Sequence, residues 1–195
     1  IRPDTPDGHV NSTVSEGISY GMILAVYFDD QSLFDDLFRY SQHWLDETGL
    51  MRWYIDATGT QACPGRDDCF AATDADQDIA FALVMADKQW GGQGALDKSY
   101  RDYALRQIAL VKKYEIHPSG IVKPGNLWGG PEVLNLSYFA PAFYRIFGTY
   151  SDDEPFWAEV VEVNYKALFD TLNQQNGNVE NGLVPAWSNV QGEPV

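Results

Sequence analysis

Apolar residues recur at the three-to-four-residue spacing of one helix face in six segments of the chain: 16–28, 31–46, 74–90, 96–115, 137–148 and 152–175. Strand signals are confined to short pieces, Leu50–Ile55, Ile121–Lys123 and Leu183–Trp187. Glycine-rich breaks separate the helical segments, at Gly91-Gly92-Gln93-Gly94, Pro124-Gly125 and Gly129-Gly130-Pro131. Ser151, ahead of Asp152-Asp153-Glu154-Pro155, is expected to cap the last helix, and Asn176-Gly177-Asn178 to close it. Helices joined by such loops predict antiparallel hairpins in one all-α domain over 1–195. No unit repeats with a period of 20–50 residues.

Composition narrows the classes. The chain has 195 residues, 45% of them apolar and 14% aromatic, enough to bury a core. Its longest apolar run, Met22–Phe28, is too short to cross a bilayer, and Ile1-Arg2-Pro3 lacks the basic and apolar regions of a signal peptide. A formal net charge of −15 argues against nucleic acid and membranes as partners and leaves neutral or cationic ligands. Cys63 and Cys69 flank Pro64-Gly65-Arg66-Asp67-Asp68, a bend that can bring the two sulfurs together. A loop disulfide is favoured over two free thiols, and it implies a secreted or periplasmic protein. No second Cys or His pair stands at the spacing of a zinc site.

Candidate chemistry concentrates in two stretches. In Ala72–Trp90, Asp74, Asp76 and Asp78 open an otherwise apolar helix, an arrangement in which like charges raise one another's pKa. The spacing resembles a calcium loop, but the sixth and twelfth positions, which need Gly and Glu, are Ile79 and Met85, so no metal is expected. On a helix Asp74 and Asp78 share a face and Asp76 points elsewhere. In Thr13–Met22, Glu16 begins an apolar helix with Ser15 as a candidate cap, and Gly17 and Gly21 leave room for close approach. A Glu there also suits the helix dipole without any catalytic role.

Aromatic residues gather in the loops and at helix ends. Trp53 and Trp128, beside Gly, Arg and Asp, are read as platforms on which a sugar ring stacks, against the alternative of core filling. His9, His43 and His117 are isolated, with His43 on an amphipathic helix as a packing or surface residue. There is no P-loop, dinucleotide fingerprint, HExxH or GxSxG, and no cofactor is expected.

Together these stretches resemble glycoside hydrolase family 8, the inverting endo-glycanases that include bacterial cellulases. Ala72–Trp90 is similar to the family's signature helix throughout, and Thr13-Val14-Ser15-Glu16-Gly17 to the block that carries its proton donor. Asn135-Leu136-Ser137-Tyr138-Phe139-Ala140-Pro141 resembles a segment whose Tyr lines the catalytic centre, and Leu183–Trp187 resembles a later loop. The likeness implies an (α/α)6 barrel, of which six predicted helices supply roughly half. It implies Glu16 as general acid, Asp76 as the carboxylate gripping the sugar and Tyr138 as a residue lining the centre; with Trp53 and Trp128 as stacking platforms and Tyr20 beside Glu16, these are the expected substrate-binding residues.

Inversion needs a protonated carboxyl at the leaving oxygen and an ionised one activating water, roughly 6.5–9.5 Å away. In the cellulase branch the second group is an Asp downstream of the Val-Pro-x-Trp loop, beyond Val195, so the chain reads as the N-terminal part of a catalytic domain. The missing C-terminal half, or a swapped second chain, is the expected partner. The substrate expected is a β-1,4-linked glucan such as cellulose. Chitosan and xylan are the enzymatic alternatives, and a non-catalytic glycan-binding remnant is the alternative of another class.

Overall fold

The computed structural model describes residues 10–67, 69–178 and 182–195. His9 and Asp68 lie outside the described residues. Six helices form on the six predicted segments: α1 (Ser15–Tyr27), α2 (Gln31–His43), α3 (Thr73–Gln89), α4 (Tyr100–Tyr114), α5 (Pro141–Tyr150) and α6 (Glu154–Thr171). The strands are two residues long: β1 (Thr13–Val14), β2 (Tyr54–Ile55), β3 (Leu134–Asn135) and β4 (Trp187–Ser188). The chain forms two compact units, one up to Leu110 and one from Val111, with the boundary inside α4.

In the first unit α1 packs on α2 and α3. Phe34 and Phe38 of α2 meet Tyr100 and Tyr103 of α4 edge-on, at ring separations of 5.5 and 4.6 Å. Each such buried ring contributes roughly 2 kcal/mol by removal from water. The α3 helix is buried on most sides by small residues, including Ala75, Ala80, Ala82 and Ala86. In the second unit α5 packs on α6, where Tyr144 stacks on Trp157 at 5.8 Å and Phe147 meets it edge-on at 5.4 Å. Ile121, Leu134 and Ala167 form a further buried cluster there, flanked by Phe139, Val163 and Val190.

One turn recurs among the described residues without a shared sequence motif. At Asp46, His117 and Asn189 the chain folds back through three residues to a glycine, whose N–H donates to the carbonyl of the first residue at 3.1, 2.8 and 3.0 Å. The side chain of the first residue accepts a backbone N–H two residues on in each case: Thr48 at 2.8 Å, Ser119 at 3.1 Å and Gln191 at 3.0 Å. The closing glycines, Gly49, Gly120 and Gly192, have φ of 90°, 83° and 85°, which a side chain would strain. They stand about 72 residues apart, a spacing well beyond the 20–50 residues of a sequence repeat. The first two turns follow α2 and α4, and the third follows α6 across a longer connection.

Several local expectations are corrected. Ser151 closes α5, its Oγ donating to the Phe147 carbonyl at 2.6 Å; left-handed Asp152 (φ 55°) then separates it from α6, which starts at Glu154. Asn176 and Asn178 do close α6, but through side-chain amides on the Asp170 and Thr171 carbonyls at 3.0 and 3.2 Å, because the helix already ends at Thr171. Of the predicted strand pieces only Tyr54–Ile55 and Trp187 join strands; Met51, Arg52 and Val122 make single bridges because the turns leave no room for longer ladders. Ser15 is the first helical residue rather than the cap, since Val14 is held extended by pairing with Tyr54.

One backbone ladder positions the ends of two helices. β1 pairs antiparallel with β2, Thr13 opposite Ile55 and Val14 opposite Tyr54, and the Ser15 N–H continues the ladder to the Trp53 carbonyl at 2.9 Å. On the other side the Trp53 N–H donates to the Phe70 carbonyl at 2.9 Å and Arg52 bridges Ala71, immediately before α3. Residues 52–55 therefore set the starts of α1 and α3 at one level. The Cys63–Cys69 disulfide closes the excursion between the central and outer lanes, and the Cys63 N–H donates to the Tyr54 carbonyl at 3.0 Å. Replacing both cysteines by serine is expected to lower stability by about 2 kcal/mol, the loop-closure entropy of so short a loop. Urea denaturation of both proteins measures it.

Candidate active site

Glu16 and Asp74 are each the second residue of a helix, α1 and α3, whose first turns lie side by side. Helix N-termini carry partial positive charge and free N–H groups, so both first turns favour carboxylates. Ser15 Oγ donates to Glu16 Oε2 at 3.3 Å. Ser19, buried on α1, reaches Asp78 Oδ2 at 3.4 Å and the Glu16 carbonyl at 3.0 Å, tying the two helices together.

The electrostatics define a three-carboxylate cluster. Asp74 is raised to about 7, chiefly by burial and next by the Glu16 charge, against the opposing hydrogen bond from the Ala75 N–H. Asp78 is raised to about 6, again chiefly by burial; the Ser19 hydroxyl opposes this and the Glu16 charge adds to it. The Tyr20 phenol is pushed up by burial and then by Asp78, Asp74 and Glu16. Tyr20 thus stands at the cluster's solvent side, with 55% of its surface exposed. Acids that titrate near neutrality beside a further carboxylate suit proton transfer.

Asp76 occupies a different place. It is 1% exposed, and its Oδ1 accepts from Gln107 Nε2 at 2.9 Å. Asp74 and Asp78, one turn apart, face Glu16, whereas Asp76 lies about 200° around the helix from each. The signature names the aspartates without saying which faces outward; the one-turn spacing of Asp74 and Asp78 was the available signal. Trp53 is half-buried in the central lane of the ladder, with the Arg66 guanidinium 5.1 Å over its ring.

The second unit holds the other two expected residues. Trp128 lies 5.5 Å from Trp187, ring to ring, and Trp187 pairs with Asn135 across β3 and β4. Asn135 Oδ1 accepts from the Ser137 N–H at 3.1 Å and starts the 3-10 turn Leu136–Tyr138. The buried Tyr144 hydroxyl holds the far side of that turn, donating to the Tyr138 carbonyl at 3.3 Å and accepting from the Ala140 N–H at 3.0 Å. Trp187, in the predicted strand piece Leu183–Trp187, reaches Trp128 through the pairing of β3 with β4, which is non-local. His43 meets Trp44 edge-on at 4.8 Å, and His117 serves its turn.

Paired helices with carboxylates at neighbouring N-termini place the chain in the class of helical-hairpin domains. The chain belongs to the family described as Glycosyl hydrolases family 8, which it matches over residues 4–195. It is 44% identical over 183 residues to Endoglucanase 2 of Ruminiclostridium josui, covering 93% of this chain and 38% of that one. It is 28% identical to the reducing-end xylose-releasing exo-oligoxylanase Rex8A of Paenibacillus barcinonensis, covering 92% and 48%. Among solved structures, the apo β-1,3-1,4-glucanase of Paenibacillus sp. X4 superimposes with a TM-score of 0.79 at 25% identity, over 91% of this chain and 47% of that one. The chain thus spans about half or less of these relatives and supplies about half of an (α/α)6 barrel.

The raised Asp74 carries a sign for stability. The unfolded chain loses this proton near the ordinary 3.8 and the folded chain near 7, so folding takes up a proton between these values. The resulting penalty is absent below about pH 4 and complete above about pH 7. Asp74→Asn is expected to be more stable than the parent at pH 8, by on the order of 3 kcal/mol, and nearly equal to it at pH 4. Denaturant melts at the two pH values check this.

Proposed function

We propose that the protein carrying this chain is an inverting endo-β-1,4-glucanase and that residues 1–195 hold its proton-donating side. The observation that carries this reading is the Glu16, Asp74 and Asp78 cluster at two aligned helix N-termini, within a family 8 chain that is 44% identical to an endoglucanase. Glu16 is the general acid that protonates the leaving glycosidic oxygen. Asp74, facing it, binds the ring hydroxyls of the sugar at the cleavage point. This assignment moves the gripping role from Asp76 to Asp74. Tyr20 borders the cluster, Trp53 and Trp128 stack on sugar rings, and Tyr138 is presented to the substrate by its pinned turn. The water-activating carboxylate comes from the remainder of the domain, for which these residues hold no counterpart in the resemblance. A formed Cys63–Cys69 bond supports a place outside the reducing cytosol.

Xylan is the second reading, favoured by the 28% identical oligoxylanase. In the whole protein, Glu16→Gln is expected to lower hydrolysis of carboxymethyl-cellulose at least about 10³-fold while cello-oligosaccharide binding persists. Retained turnover would sink the assignment of the acid. Reducing ends released from xylan or chitosan, and not from cellulose, would move the substrate. Binding with no release from any of the three polymers would mark a non-catalytic glycan binder.

A further inference from the structure

We infer that Gln107 and Asp76 are a positioning pair whose hydrogen bond fixes the rotation of α3 and so aims Asp74 and Asp78 at Glu16. The inference rests on the reading of that cluster as the catalytic centre. The α3 helix is buried on most of its circumference, much of it against alanine, so hydrophobic burial specifies its rotation weakly. A buried polar pair specifies it strongly, because turning the helix would strip Asp76 of its partner in a dry environment. Asp76 is 1% exposed and Gln107, on α4, is 6% exposed, with 2.9 Å between Nε2 and Oδ1. The same amide lies 3.5 Å from the Asp76 carbonyl, so one side chain grips both the side chain and the backbone of that residue. Gln77 reinforces the same turn, its Nε2 donating to the Thr73 carbonyl at 2.9 Å. Each residue advances the helix by about 100°, so a rotation by even one position would carry Asp74 away from Glu16.

The pair has an isosteric exchange. In the double variant Asp76→Asn/Gln107→Glu the donor and acceptor trade places, with side-chain lengths and net charge unchanged. Carbon-detected NMR on the whole protein reads the Asp74 titration, and calorimetry with cellopentaose reads binding. Gln107→Leu, or Gln107→Asn if the first does not fold, is expected to move the Asp74 midpoint down by about one pH unit, as a misaimed carboxyl gains water. It is also expected to weaken cellopentaose binding about tenfold. The exchange is expected to restore both. Folded single variants with an unchanged Asp74 midpoint overturn the pair's role. So does an exchange that restores the midpoint but not binding, since Asp76 would then touch the sugar itself. If the parent protein does not bind cellopentaose while the midpoint falls and is rescued, the sugar reading fails and the positioning pair stands.

Discussion

The backbone ladder that runs through residues 13–15, 52–55 and 70–71 is the constraint on which the candidate centre depends. Its hydrogen bonds determine where α1 and α3 begin. Because Glu16 and Asp74 are second residues of those helices, level starts mean level carboxylates. The disulfide and the Arg52 side chain, which donates to the Cys69 carbonyl at 2.9 Å, anchor the loop that returns the chain to the ladder's outer lane. Local geometry thus converts sequence-distant acids into neighbours without any bond between them.

That neighbourhood opposes folding. Burying Asp74 and Asp78 beside Glu16 raises their affinity for protons, which is the same statement as a loss of stability once they ionise. The surrounding structure offsets it with aromatic packing of α2 on α4 and with Ser19, which links Glu16's helix to Asp78. A stored electrostatic penalty at neighbouring helix ends, held by otherwise well-packed hairpins, is the environment in which proton-transferring acids are found.

Much of this was legible in the sequence, for identifiable reasons. Helices are local and periodic, so all six appear in the apolar spacing, and the Thr13–Gly17 and Ala72–Trp90 blocks carry the family likeness. The roles within Asp74-Ala75-Asp76 were less accessible, because a signature fixes residue types but not which side of a nearly all-buried helix meets solvent. Ser151 closes α5 instead of capping α6 because left-handed Asp152 separates the two helices, a break that residue spacing does not show. Trp187 needed the pairing of residue 135 with residue 187, and the repeated turn needed hydrogen bonds shared by Asp46, His117 and Asn189, whose side chains do the same work with different chemistry.

Glu16 and Asp74 share one electrostatic environment, and NMR titration of the Asp74 carboxyl in the whole protein and in its Glu16→Gln variant tests this. The parent midpoint is expected near 7 and is expected to fall in the variant yet stay above the ordinary aspartate value, because burial, the larger cause, remains. An Asp74 midpoint near 4 in the parent, or one that Glu16→Gln leaves unmoved, would contradict it.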